Sequence, residues 1–127
     1  PEMAERFVKE TGVDLFSPAV GSIHGMLRSG KDPDLNIARI KEIAEVLTLP
    51  LVLHGASGLD EENLKQAIKA GISLVHINTE IRVAWTNATK LSLQESPEET
   101  TPYKIMRPAM MAVQKVVEQK IKIFNNM

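Results

Sequence analysis

Three histidines fall where strand-like runs give way to loops: His24 after Asp14–Val20, His54 closing Leu51-Val52-Leu53, and His76 near the end of Ile72–Asn78. Neutral imidazole is a good ligand for divalent cations. Adjacent strands run about 4.8 Å apart, and two nitrogens bound to one zinc at about 2.1 Å lie about 3.4 Å from each other, so histidines on neighbouring strand ends can share an ion. Any one of them alone reads as a solvated strand-end residue; repetition at three strand ends is what points to a site. His24 and His54 are each followed by a glycine, which lets main-chain amides come close to a bound group. Gly55-Ala56-Ser57-Gly58 then forms one loop and Asn78-Thr79 closes the next strand. Main-chain N–H groups in such loops commonly cradle phosphate, with Ser57 and Thr79 as extra hydroxyl donors. Asp60, Glu61 and Glu62 favour the plainer reading of a capped glycine turn, because carboxylates at a helix start repel an anion set directly on it.

The elements carrying these residues are legible from periodicity. Glu2–Lys9 predicts a helix ending before Gly12, and Asp14–Val20 a first strand, with Gly21 and Gly25 opening the loop after it. Asp34 or Asn36 is placed to cap a helix whose Ile37, Ile40, Ile43, Ala44 and Leu47 recur at helical spacing. Pro50 enters a second strand, Leu51–His54, whose unbroken aliphatic run suits cover on both faces. Asp60 caps the next helix, with Leu64, Ala67 and Ile68 on one face and Gly71 as its stop, and Ile72–Asn78 is the third strand. A helix from about Glu80 to Leu93 follows, Pro97 and Pro102 interrupt, and a last helix runs from about Tyr103 to Ile123. Its stripe of Met106, Met110, Val113, Val117 and Ile121 is expected in the core or at a subunit contact. Strands alternating with helices predict a parallel α/β fold. A closed eight-strand barrel takes about 250 residues, so three strand-helix units in 127 residues predict the C-terminal part of a (β/α)8 barrel, with a small open sheet as the alternative.

Composition removes several function classes. Fifteen Lys+Arg against 16 Asp+Glu leave a net charge of −1, which is no footprint for nucleic acid. The longest nearly apolar stretch, Val46–Leu53, is far short of the roughly 20 residues that cross a bilayer. The absence of cysteine excludes disulfides, thiolate ligands and a cysteine nucleophile, and sits easily with the cytoplasm. A chain opening Pro1-Glu2-Met3, without initiator methionine or signal-like core, is expected to be processed or cut from something longer.

Gly21-Ser22-Ile23-His24-Gly25, Pro50–Gly58 and His76-Ile77-Asn78-Thr79-Glu80 resemble, in order and spacing, the later half of the class II, metal-dependent fructose-bisphosphate and tagatose-bisphosphate aldolases. The likeness runs nearly the whole length, and His54-Gly55-Ala56-Ser57-Gly58 is its most specific part. The resemblance implies that His24 and His54 are two zinc ligands. It implies that Gly25, Gly55, Ala56, Ser57, His76, Ile77, Asn78 and Thr79 bind dihydroxyacetone phosphate. In that family the metal polarises the substrate ketone, making a neighbouring C–H acidic. The implied reaction is reversible cleavage of a ketose bisphosphate to dihydroxyacetone phosphate and glyceraldehyde 3-phosphate in glycolysis. A further histidine ligand and the proton-exchanging aspartate are implied to come from earlier strands, in an enzyme that is a homodimer or larger.

This chain departs from the pattern at three positions: His76 where the family usually has asparagine, Arg28 where lysine often follows the His-Gly motif, and Leu74 in place of another lysine. His76 opens the alternative that three strand-end histidines complete the metal site. With only two ligands implied for a site that normally has three, the isolated chain is expected to be inactive and to bind zinc weakly. Two other readings stand beside this one: a metal-free sugar-phosphate barrel enzyme, and a half-barrel that persists as a binding or assembly module.

Overall fold

The computed structural model describes residues 1–23, 25 and 33–125, and the chain divides into two units, Pro1–Ile77 and Asn78–Met127. The first unit is organised around β1 (Leu51–Leu53), whose three side chains are all buried. It pairs in parallel with β2 (Ile72–Val75), matching Leu51 to Ile72, Val52 to Leu74 and Leu53 to Val75. One step along β1 thus corresponds to two along β2, and Ser73 is an extra residue that bulges the strand.

The first expected strand, Asp14–Val20, is reduced to a single parallel bridge between Phe16 and Leu51. Phe16 N–H donates to the Pro50 carbonyl at 3.2 Å and Val52 N–H donates to the Phe16 carbonyl at 2.9 Å. The next donor on that side of a parallel ladder belongs to residue 18, which is proline and has no N–H. The segment therefore runs beside β1 in the expected direction but cannot continue its ladder.

The helices of this unit begin and end on local signals. α1 (Glu2–Thr11) has Glu2 and Glu5 in its first turn and Lys9 in its last, matching its dipole, and ends at Gly12 in the left-handed conformation, φ 66°. In α2 (Ile37–Val46) the Asn36 side chain accepts from Arg39 N–H at 2.9 Å. In α3 (Glu61–Lys69) Asp60 accepts from Asn63 N–H at 2.8 Å. Each such cap contributes about 1 kcal/mol. Ile40 and Ile43 of α2 and Leu64 and Ala67 of α3 bury their sides against a core shared with β1 and Ile72. A fully buried aliphatic side chain contributes about 1.5–3 kcal/mol.

The second unit is a pair of helices, α4 (Thr79–Glu95) and α5 (Pro102–Asn125). Lys120, near the end of α5, pairs with Glu80, in the first turn of α4, at 3.0 Å, so the two run antiparallel. At the connection, Glu99 accepts from Thr101 N–H at 2.9 Å and pairs with Lys104 at 2.9 Å. These contacts hold its carboxyl down at about 2, with the Thr101 hydrogen bond the largest cause and Lys104 next.

Within this pair of helices, the α5 stripe expected in the core or at a subunit contact is only partly covered. Met110, Val117 and Ile121 are 64%, 38% and 51% exposed, while Met106 and Val113 are half-buried. Ala109 is the fully buried position, with Ile105, Ala112 and Val116 half-buried around it, and α4 contributes half-buried Ala84 and Ala88. Small side chains let two helix axes approach closely, which suits Ala109 at the one α5 position that is fully buried among the described residues.

Candidate functional site

The chemistry-bearing residues of the first unit gather at the C-terminal ends of β1 and β2. His54 follows Leu53 directly, and His76 N–H donates to the Leu53 carbonyl at 2.9 Å, which carries the ladder one step beyond β2. Their rings meet nearly edge to face, with centroids 4.5 Å apart and planes at 84°, and the two Nδ1 atoms are separated by 3.4 Å. Both side chains reach solvent.

The register explains why they meet. Leu53 lies opposite Val75, so the following residues, His54 and His76, are also opposite each other. Residues paired across parallel strands project to the same face. Were Ser73 paired with Val52 in an unbroken register instead of bulged, His54 would face Val75 and His76 would fall one step beyond.

Gly55 has φ 65°, and a Cβ there would collide with the Ile23 carbonyl. Ile23 immediately precedes His24 and Gly55 immediately follows His54, so this contact brings together the chain flanking two of the three histidines. His24 itself and Arg28 lie outside the described residues. Gly25 is described, with φ 105°. Along the expected phosphate loop, Ala56 and Ser57 are buried, at 0% and 3% exposure, whereas Gly58 is exposed. The Ser57 hydroxyl therefore sits inside the protein, where a polar group requires partners of its own. Ile77 closes the first unit; Asn78 precedes α4 without a side-chain capping bond, and Thr79 is already in that helix.

Two positioning features were not foreseen. Asn63 donates from Nδ2 to Asp34 Oδ1 at 3.1 Å and to Asp60 Oδ1 at 3.0 Å, and its own Oδ1 accepts from Leu35 N–H at 3.1 Å. One amide thereby ties the start of α3 to the segment entering α2. Its place three residues after a capping aspartate was the available signal. The contact of Ile23 with Gly55 had none, since it joins residues far apart in sequence.

Among the described residues, no three His, Asp or Glu side chains are grouped so as to hold a metal ion, and no helix is long and apolar enough to cross a membrane. A groove between α1 and residues 16–19 is lined by Phe7, Phe16, Pro18 and Ile43 and includes none of the candidate site residues.

Parallel strand-helix units with histidines at their C-terminal ends are the arrangement of an α/β barrel active-site face. Comparison with known proteins makes the assignment definite: residues 1–127 match the fructose-bisphosphate aldolase class-II family, and the chain belongs to it. A relative from Bacillus licheniformis, 6-phospho-5-dehydro-2-deoxy-D-gluconate aldolase, is 38% identical over 122 residues, covering 96% of this chain and 41% of its own length. The crystal structure of the YdjI aldolase from Escherichia coli K12 superposes with a TM-score of 0.76 at 31% identity, over 98% of this chain and 43% of that one. A putative fructose-1,6-bisphosphate aldolase from Coccidioides immitis gives a TM-score of 0.83 at 25% identity, over 98% and 42%. The fold is part of a (β/α)8 barrel, and the chain spans about two fifths of the length of these relatives. Class II aldolases are generally metal-dependent lyases acting on sugar phosphates.

Proposed function

We propose that this chain is the C-terminal part of a class II aldolase barrel and supplies its metal-holding and phosphate-holding strand ends. In this reading His24 and His54 ligate a divalent cation, zinc by the preference of imidazole donors. Gly25, Gly55–Ser57 and His76–Thr79 hold the phosphorylated three-carbon half of the substrate. The observation that carries the reading is the packing of Ile23 on Gly55, which sets the neighbours of His24 and His54 against each other at the end of β1. With Ser57 buried, it is the main-chain amides of its loop that are suited to meet an ester phosphate. The cation, when bound, withdraws electrons from the substrate ketone so that the adjacent carbon can lose a proton or a C–C bond can open. The residues of this chain orient the ketone and its phosphate. The third histidine ligand and the aspartate that exchanges the proton come from earlier strands, in a cytoplasmic homodimer or larger assembly.

The substrate proposed is a ketose 1,6-bisphosphate, fructose or its tagatose epimer, cleaved to dihydroxyacetone phosphate and glyceraldehyde 3-phosphate. The 38% identity to the Bacillus licheniformis enzyme favours a second candidate, the substrate in that enzyme's name. Its 5-dehydro and 6-phospho groups put a ketone beside a phosphorylated carbon, as in fructose 1,6-bisphosphate, and the two differ in the half that leaves as aldehyde.

The test is to assay both compounds with a polypeptide in which this chain follows the earlier barrel strands, with and without EDTA, and beside the 127-residue chain alone. Cleavage that EDTA abolishes, and that zinc restores, is the expected result. Activity unaffected by EDTA would favour the metal-free barrel enzyme, and cleavage by the isolated chain would overturn the division of labour.

A further inference from the structure

We propose that the outer edge of residues 14–20 is a docking site for one further parallel strand, and that this chain takes up that strand even from a separate polypeptide carrying the earlier part of the barrel. The inference rests on the reading of the chain as the C-terminal part of a barrel, and it names the surface through which the rest joins.

Phe16 turns both of its main-chain groups toward β1, donating to the Pro50 carbonyl and accepting from Val52 N–H. Alternate residues of an extended segment direct these groups to opposite sides. Leu15, Ser17 and Ala19 therefore direct theirs to the other edge, where none has a partner among the described residues. Pro18 halts the ladder on the β1 side alone; the three outward-facing residues keep their N–H groups. An edge of unmet donors and acceptors is a template for another strand. The side chains divide in the same way, with Pro18 and Val20 buried and Phe16 half-buried, but Leu15, Ser17 and Ala19 exposed. On the Phe16 side, α1 sets the Phe7 ring 5.8 Å from that of Phe16. Met3 and Phe7, four residues apart on one side of α1, are nevertheless 78% and 48% exposed, and with Phe16, Pro18 and Ile43 they line a groove of about 450 Å³. Unmet main-chain groups in extended register call for a strand, and the apolar groove beside them calls for apolar side chains on its α1 side. α1 leads into residues 14–20, and a helix leading into a parallel strand ordinarily follows a strand of the same direction. The chain spans about two fifths of the length of its relatives, so an earlier barrel strand is the occupant.

The experiment mixes the full 127-residue chain, in EDTA, with the part of the Escherichia coli K12 YdjI aldolase outside its match to this chain, and follows affinity and amide hydrogen exchange. The expected result is a complex in which the amides of Leu15, Ser17 and Ala19 become protected. Ser17→Pro removes one outward N–H and should weaken the complex about tenfold, while Ser17→Ala binds as the wild type. Residue 17 is exposed and already held extended by Pro18, so the proline variant keeps its fold, which circular dichroism checks. Absence of a complex, a complex without protection at these amides, or undiminished binding by Ser17→Pro overturns the inference. Protection that grows with concentration in the chain alone also overturns it, because the occupant is then a second copy. EDTA keeps metal out of the result: metal-dependent cleavage by the joined polypeptide would stand despite these failures, and its absence would leave the edge pairing intact.

Discussion

The two units bury themselves in different ways. Among the described residues, every fully buried apolar side chain except Ala109 belongs to the first unit, where a strand is covered by helices. The second unit, two antiparallel helices, leaves Trp85, Leu91, Tyr103, Met110 and Ile121 exposed. A strand between two neighbours in a sheet can be covered on both faces, whereas each helix of a pair has only one side covered by its partner. Helix starts do not follow the same division: α2 and α3 open on side-chain caps, while α1 in the first unit and α4 in the second open with none. The site residues whose geometry is most constrained, His54, Gly55 and His76, all sit in the unit with the core. Packing behind them fixes the strand ends from which the two exposed rings project.

Core truncation should separate the two units most sharply. Leu53→Ala, at a position with no exposure, is expected to cost about 2–5 kcal/mol in denaturant unfolding, against less than about 0.5 kcal/mol for Met110→Ala in the second unit. Equal costs would mean that the outer stripe of α5 is covered in solution. Next in size is Gly55→Ala, which combines a left-handed backbone with a clash against the Ile23 carbonyl. A loss of about 2 kcal/mol is expected, with hydrogen exchange accelerated in β1 and β2 and unchanged in α5. Unaltered exchange at β1 would show that the loop shifts without disturbing the strand.

The smallest effect is electrostatic and belongs to the second unit. Glu99 has its carboxyl lowered from 4.5 to about 2 when folded, so its contribution is fully present above the unfolded value. It disappears as pH falls through the window from 4.5 toward 2. Thermal melts of the wild type should lose stability across that window more steeply than those of Glu99→Gln. Identical pH profiles would show that the Thr101 and Lys104 contacts do not persist in solution.

Local features were read correctly because their causes are local. Asn36 and Asp60 cap helices because a short acceptor beside free N–H groups satisfies them wherever the chain goes next, and Gly12 ends α1 for a similarly local reason. The strand ends bearing His54 and His76 followed from the aliphatic runs before them. The extent of the first strand was misjudged because one proline, Pro18, decides whether a ladder continues, and its effect depends on which N–H groups face the neighbour. For α5, helical spacing identifies an apolar stripe without saying what covers it, and within the pair of helices that stripe is only partly covered.

By itself, the order of residues determined the alternation of helices and strands, the cap at Asp60 and the histidines that follow β1 and β2, since each depends on side chains within a few positions of one another. Only the tertiary structure decided that Ser73 bulges β2, that Ile23 lies on Gly55, and that His54 and His76 present nitrogens 3.4 Å apart. Register and close backbone approach arise between segments distant in sequence, where a one-residue slip changes which side chains meet while leaving every local preference satisfied.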